Sequence, residues 1–277
     1  MTWKDEIIDN VDALFTRLHS LYEKDELVAY RGQSDKNWDL KTSLDRILDE
    51  NTDYAVRIGE EFAILDKFYV RARKFLGVNE AKRLDQLLVN NKISALTVLQ
   101  HYRAPTRMLD WTLSSWIALY FAAIEHHDKD GAIWWFNQKA FEDEVGQRWA
   151  DYGLKHDRRW PHQVNLNDTA FNSDGPLWIT KLHCALPFHR IEVQQGFFTV
   201  AGRLGFEHGA LIANILGEGQ FARIVIPASA KQEILDRLFN MGIHSRTLDY
   251  PGADIVGKDL TLDLKDTHNR SSEDRGH

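Results

Sequence analysis

Cysteine is nearly missing from this chain: Cys184 stands alone among 277 residues. That excludes an internal disulfide and a cysteine-rich zinc site and fits a reducing compartment. Long apolar runs are missing as well. Nowhere do about 18 uncharged apolar residues stand together, and the opening Met1-Thr2-Trp3-Lys4-Asp5-Glu6 puts no apolar stretch behind a basic start. No membrane span and a cytoplasmic location are expected. A basic surplus is absent too, since 34 Lys and Arg face 41 Asp and Glu for a formal charge of −7. Counterion release rewards the opposite balance, which argues against bulk nucleic acid as the partner. The sequence holds no Walker loop, no dinucleotide-binding glycine fingerprint, no Gly-x-Ser-x-Gly elbow and no His-Glu-x-x-His. His156 and His162 lie far from other ligand types, so no metal is expected.

What is present is apolar and rich in rings. The chain is 43% hydrophobic, with nine Trp, eight Tyr and 14 Phe, enough for a sizeable globular core. Its densest stretch runs from Leu99 to Thr112 and places Gln100, His101, Tyr102, Arg103, Arg107, Asp110 and Trp111 between two apolar helical patterns. Pro105 forbids helix at its own nitrogen and biases Ala104 toward extended backbone, so the helix arriving through Ile93, Leu96 and Leu99 should stop near His101 or Tyr102. Thr112 is placed to cap the next helix, Ser114 to Glu125. Two readings of this bend stand: a ligand site preorganised between anchored helices, or a structural corner in which Arg107 pairs with Asp110.

Ahead of the bend, Ile7, Ile8, Val11, Leu14, Phe15, Leu18 and Leu21 predict an amphipathic helix within residues 1–26. Leu27 to Tyr30 reads as a strand that delivers Arg31-Gly32-Gln33 at its C-terminal end, where open α/β folds put ligands. Arg31 offers a planar fork for phosphate or carboxylate, and Gly32 permits close approach of a backbone or a ligand. In the structural alternative Arg31 pairs with an acidic neighbour and Gly32 makes a turn. Thr42 or Ser43 should cap a small helix through Ile47 and Leu48. A long helical pattern covers Tyr54 to Leu76, with Phe62, Leu65, Phe68, Tyr69 and Phe75 inward and Arg57, Glu60, Glu61, Lys67, Arg71, Arg73 and Lys74 outward.

Beyond Glu125, Ala132 to Phe136 predicts a buried strand, and residues 138–175 read as an insertion or lid. Leu177 to Thr180, Phe197 to Val200 and Phe221 to Ile226 read as further strands. Ser229 with Gln232 makes a capping box for a helix over Ala230 to Met241, ended by Gly242. Cys184 beside His183 is read as buried and inert, because neighbours on an extended chain face opposite ways. A last short element is expected beyond Pro251, and the charged tail 266–277 reads as disordered. The fold class expected is α+β, with a predominantly helical N-terminal half and a mixed β-sheet built from an early strand and C-terminal strands.

Tyr30-Arg31-Gly32-Gln33, Trp38, Thr42-Ser43-Leu44, Leu99-Gln100-His101-Tyr102, Ala104-Pro105-Thr106-Arg107, Leu109-Asp110-Trp111-Thr112 and Ala118-Leu119-Tyr120-Phe121-Ala122 follow in an order that resembles the FRG domain. That family, found in bacteria and phages, is named for an aromatic-Arg-Gly motif. The likeness covers a motif core at 27–123 and implies an FRG-like domain over 27–265. The chain departs from the pattern at Arg103, where the family usually carries Gly, and at Tyr30, where Phe is common. It is also similar, more weakly, to ADP-ribosyltransferases, which hold NAD with an Arg-Gly or His-Gly at the end of an early strand. Those enzymes commonly set a Glu just before a late strand like Ile224-Val225-Ile226-Pro227, a position that is Arg223 here.

These resemblances imply a nucleotide or other phosphate-bearing small molecule as ligand, NAD as substrate, and ADP-ribosyltransferase-like or NAD-cleaving activity. A toxin or phage-defence role with a protein target goes with that activity. The alternative left open is a non-catalytic recognition or scaffold module. On the first reading Arg31 clamps phosphate, and Tyr30, Gly32, Gln33, His101, Arg107, Trp111 and Gln195 complete the ligand site. Glu192, Glu218 or Asp110 then supplies the catalytic carboxylate that acts with Arg31.

Overall fold

The computed structural model describes residues 2–22, 27–48, 51–72, 74–151, 166–171, 177–186 and 188–248. The expected 266–277 tail, the short element beyond Pro251, His156 and His162 lie outside the described residues. The strands are β1 (Asp5–Ile7), β2 (Val28–Gln33), β3 (Met108–Thr112), β4 (Gly131–Asn137), β5 (Ile179–Leu182), β6 (Gly196–Ala201) and β7 (Phe221–Ile226). They form one sheet in the order β1-β7-β4-β2-β3-β6-β5. β1 runs parallel to β7 and the other neighbours are antiparallel. The early strand β2 therefore lies at the centre of a mixed sheet to which the C-terminal half adds three strands, β5, β6 and β7, in line with the α+β expectation.

The helices are α1 (Val11–Tyr22), α2 (Ser43–Ile47), α3 (Tyr54–Ala72), α4 (Val78–Asn90), α5 (Lys92–His101), α6 (Ser115–Ala123), α7 (Gln138–Asp151), α8 (Leu166–Ala170), α9 (His189–Val193), α10 (His208–Ile215), α11 (Lys231–Asn240) and α12 (Ser245–Leu248). Helices α1, α6 and α11 pack on one face of the sheet, against Tyr30, Ile133, Trp135 and Ile224. Helices α3, α5, α7 and α10 cover the other, against Ala29, Trp134, Phe136 and Phe198. Every residue of β4 is buried, because its alternating side chains feed both layers. Among the described residues no helix is long and apolar enough to cross a membrane.

Helix α6 lies almost in contact with the sheet. A Cβ on Gly32 would stand 1.9 Å from the Ala118 carbonyl oxygen, and one on Gly131 would stand 2.4 Å from that of Ala122. Ala118 and Ala122 are one turn apart on α6 and share a face. Gly32 is therefore a place of close backbone approach within a strand, and makes no turn.

Other expectations need correction. Arg31, Gly32 and Gln33 are inside β2, paired with Trp134, Ile133 and Ala132, since β4 extends the ladder past Tyr30. The Leu99 to Thr112 stretch is not a bend between two helices, because its second half is strand β3. Thr112 ends that strand and Ser114 caps α6 through the Ile117 amide. Helix α3 stops at Ala72, leaving Phe75 58% exposed, while Arg57 and Glu61 turn inward. The Ser229 capping box is absent. Ser229 lies in a 3-10 turn, Ala228–Ala230, and the helical backbone of Ala230 caps α11 with no side-chain bond. Of residues 138–175, Gln138–Asp151 forms α7, whose Phe141, Val145 and Trp149 are core residues; residues 152–165 and 172–176 lie outside the described residues. Helix α5 ends at His101 with Tyr102 as its cap, and Thr42 caps α2 by accepting from the Asp45 amide, both as expected.

Candidate functional site

Strands β2 and β4 share six paired positions, whereas β2 and β3 share one, Tyr30 with Thr112. Past that pair β2 and β3 splay, and a cleft of about 440 Å³ opens between them. Pockets of that size hold small organic ligands. Its floor carries Arg31, Asp110 and Thr112, and Arg46 reaches it from α2. Gln100 comes from the last turn of α5 and Arg103 from just past its cap, Arg190 comes from α9 and Gln194 from the cap of α9, and Trp38, Tyr120, Phe121 and Glu125 add to the wall. The charged side chains among the described residues that line it are four arginines and two carboxylates, with no lysine or histidine. An acidic chain thus gathers positive charge in one concave place, where the surrounding low dielectric strengthens the field.

Arg31 lies across the split. Its Nη1 donates to the Asp110 carbonyl oxygen at 2.7 Å and sits 3.7 Å from Asp110 Oδ2. The side chain is 15% exposed, and its buried Nε has no hydrogen-bond partner among the described residues. Burial, opposed by the Asp110 charge, pushes its pKa down to about 10, so the guanidinium stays charged at neutral pH. A desolvated cation with an unmade hydrogen bond is poised for an anion. Asp110 is 56% exposed. Gln100 Nε2 donates to its Oδ2 at 2.6 Å, and the Thr106 hydroxyl holds Gln100 by donating to its Oε1. The carboxylate is therefore oriented from two sides while keeping open access to the cleft.

Backbone strain collects around the same place. Among the described residues, positive φ at a non-glycine position occurs at Arg103 (60°), His126 (50°) and Gln195 (47°). Arg103 lines the cleft, and the other two directly follow its lining residues Glu125 and Gln194. Such outliers tend to persist where surrounding structure holds a functional geometry. The wall is also pinned from behind: the buried Lys231 ammonium donates to the carbonyls of Ser34, Glu125 and His126.

The residues expected at the site divide into two groups. Tyr30, Arg31, Gly32, Gln33, Asp110 and Trp111 all line the cleft. Gln33, however, accepts from Trp134 Nε1 and donates to the Asp39 carbonyl, so its amide is already engaged. Trp111 is buried and donates to Thr199 Oγ1, which in turn meets His208 Nδ1; its role is packing. Burial pushes the Tyr30 hydroxyl up to about 12.

His101, Arg107, Gln195, Glu192 and Glu218 are not among the lining residues. His101 stacks on Phe188 with ring centroids 3.9 Å apart, and burial, then the charges of Arg190 and Arg103, push its pKa down to about 3. Arg107 pairs with Glu61, not Asp110, and also donates to the Ala170 and Gly202 carbonyls. It is a buried tie between α3 and the segment that leads into β3. Glu192 stands between Arg190 and Gln194 on α9, and the turn that aims those two at the cleft aims Glu192 away. Glu218 pairs with Lys4, near β7 and two strands from β2. Asp110 alone of the three expected carboxylates reaches the cleft. Sequence reasoning misses Arg46, Arg190 and Glu125, which carry no local signal, and takes Gln195 in place of its neighbour Gln194; Gln100 and Trp38 stand inside the motifs, which assign them no role.

Cys184 donates its thiol to the Thr97 carbonyl at 3.6 Å, and burial pushes its pKa up, as an inert thiol requires. Among the described residues no three of His, Cys, Asp or Glu gather to hold a metal ion. No curated protein and no solved structure matches the chain, so the similarity to ADP-ribosyltransferases finds no support. The cleft instead falls largely within one recognisable segment: the family model for the FRG domain matches residues 26–131, and the chain carries an FRG domain there.

Proposed function

We propose that the cleft binds a phosphate-bearing nucleotide, with NAD as the first ligand to try. The observation that carries this reading is Arg31, a mostly buried guanidinium with an unpartnered Nε in a cleft of four arginines. On this reading Arg31 clamps phosphate through its planar fork, and the exposed ring of Trp38, which lines the cleft and meets His126 edge-on, receives the base. Asp110 takes the catalytic role. When the ribose C1′–N bond of NAD breaks, the electron pair leaves with the nicotinamide nitrogen and positive charge develops on the sugar. A carboxylate held beside that sugar stabilises the charge. Water then adds to C1′ and releases its proton, giving ADP-ribose and nicotinamide. A nucleophilic side chain of a protein target in place of water makes the reaction an ADP-ribosyl transfer, the chemistry of a toxin or phage-defence effector.

The test is incubation of purified protein with NAD, following nicotinamide release and the melting temperature together. A ligand at about 100 times its Kd stabilises the native state by about 2.7 kcal/mol, a readily measured shift. Arg31→Ala should abolish both signals, while Asp110→Asn should keep the shift and lose the release. A rival reading, a non-catalytic recognition or scaffold module, draws on the partial pairing of Arg31 with Asp110, which is also what a structural pair looks like. NAD that neither turns over nor raises the melting temperature gives the cleft to that rival.

A further inference from the structure

Helix α2 spends four of its five side chains on the fold. Ser43 Oγ accepts from the Thr106 amide at 3.1 Å, Leu44 and Ile47 pack in the core, and Asp45 Oδ1 takes the Arg57 guanidinium at 3.2 Å and the Gly205 amide at 2.8 Å. The fifth, Arg46, lines the cleft. Among the described residues its exposed guanidinium makes no hydrogen bond or ion pair, so a well-anchored helix presents a cation that the fold itself does not use.

Arg46 joins a cation and a carboxylate already in place. Burial lowers the pKa of Arg31 most, the Asp110 charge opposes it, and the Arg46 charge lowers it further, as three charges at one end of the cleft must act. Two guanidiniums therefore face one carboxylate. An anion entering beside them meets two planar forks.

Asp110 restricts what else the ligand can be. Gln100 occupies its Oδ2, while Oδ1 takes no hydrogen bond among the described residues and the side chain is 56% exposed. An open carboxylate oxygen next to an anion site repels the anion and calls for a donor close by. A ligand ammonium would meet the two guanidiniums, so the donor that fits is neutral, a hydroxyl.

We infer that this end of the cleft takes a phosphorylated sugar, Arg31 and Arg46 sharing the phosphate and Asp110 Oδ1 accepting from a hydroxyl of the sugar. The placement of phosphate at Arg31 rests on the nucleotide reading above; the second arginine and the hydroxyl do not. Arg46 is then a binding residue, and Asp110 separates a sugar phosphate from a simpler phosphate ester.

Calorimetric titration of the full chain with ribose 5-phosphate, methyl phosphate and ribose tests this, since the first two carry the same phosphomonoester and only the first adds hydroxyls. Ribose 5-phosphate should bind about tenfold or more tightly than methyl phosphate, and ribose should not bind measurably. Arg46→Gln, at an exposed position, should weaken both phosphates about tenfold. Asp110→Ala should erase the advantage of ribose 5-phosphate while tightening methyl phosphate about threefold, because a like charge is removed. Equal affinity of the wild-type protein for the two phosphates overturns the inference, as does an Arg46→Gln variant that binds as the wild type does, or an Asp110→Ala variant that weakens both by one factor. Failure of ribose 5-phosphate to bind overturns it too, and a melting shift with NAD in that case leaves the nucleotide reading standing. Ribose 5-phosphate bound as stated, with NAD giving neither shift nor release, upholds the sugar-phosphate site and removes the nucleotide reading.

Discussion

Arg107 and Glu61, 46 positions apart in the chain, close on each other with both side chains about 1% exposed. Two donors of one guanidinium face two carboxylate oxygens, and the remaining N–H groups reach the carbonyls of Ala170 and Gly202. Glu61→Ala leaves that cation buried and unpaired, at an expected loss of about 3–5 kcal/mol. Asp110→Ala, at a half-exposed position, should change stability by less than about 1 kcal/mol. Denaturant titration of the two variants separates anchor from site; equal losses would return Asp110 to a structural role.

The contact between α6 and the sheet makes glycine irreplaceable at one position and dispensable at another. Gly32→Ala forces a methyl into the Ala118 carbonyl and should cost about 1–3 kcal/mol or prevent folding. Gly59, mid-helix in α3, has nothing within 4 Å of the place a methyl would take, and Gly59→Ala should stabilise by about 0.5–1 kcal/mol. Thermal melts that move the same way for both variants would show that the close approach of α6 is not what Gly32 serves.

One buried and one half-buried histidine predict acid sensitivity. His208 is lowered to about 3 by burial and then by the Arg31 charge, and His101 to about 3 by burial and then by Arg190 and Arg103. Between an unfolded pKa of about 6.5 and those folded values the unfolded chain binds more protons, so stability should fall as pH falls through that window. Each histidine contributes at most about 1.4 kcal/mol per pH unit. His208→Gln should flatten the decline between pH 6 and 4; urea unfolding across that range would show an unchanged slope if the ring does not carry it.

Strain at Arg103 has its own signature in the absence of ligand. Arg103→Gly should raise stability by about 0.5–1 kcal/mol, the relief of a left-handed residue less the greater freedom of glycine in the unfolded chain. A lower melting temperature would mean that the arginine side chain contributes more to the fold than its backbone costs.

The elements were largely legible in the residues, and the partners were not. Pro105 stops α5 where it should, five apolar residues in a row mark β4, and Phe221 to Ile226 marks β7, because each signal is local. Glu61 lies on a helix among residues read as outward, and only the arrival of Arg107 from the segment just before β3 shows why that carboxylate is buried. The site was half legible for the same reason. Arg31 and Asp110 lie in adjacent motifs and meet, whereas Glu218 is close in sequence to β7, and β4 intervenes between β7 and β2. Arg46 and Arg190 join the cleft from short helices whose spacing carries no message about it.

The sheet order bears on how this domain can be cut and transplanted. Residues 26–131 supply β2 and β3 and only the first residue of β4, while the ladders on either side belong to β4 and β6. A fragment ending at 131 would expose both rims of a two-strand ribbon and should self-associate. The Lys231 ammonium, which grips Ser34, Glu125 and His126 from the far end of the chain, would be gone as well. Expression and domain-swap boundaries therefore belong beyond α11, and a recurring motif block is here smaller than the unit that can fold around it.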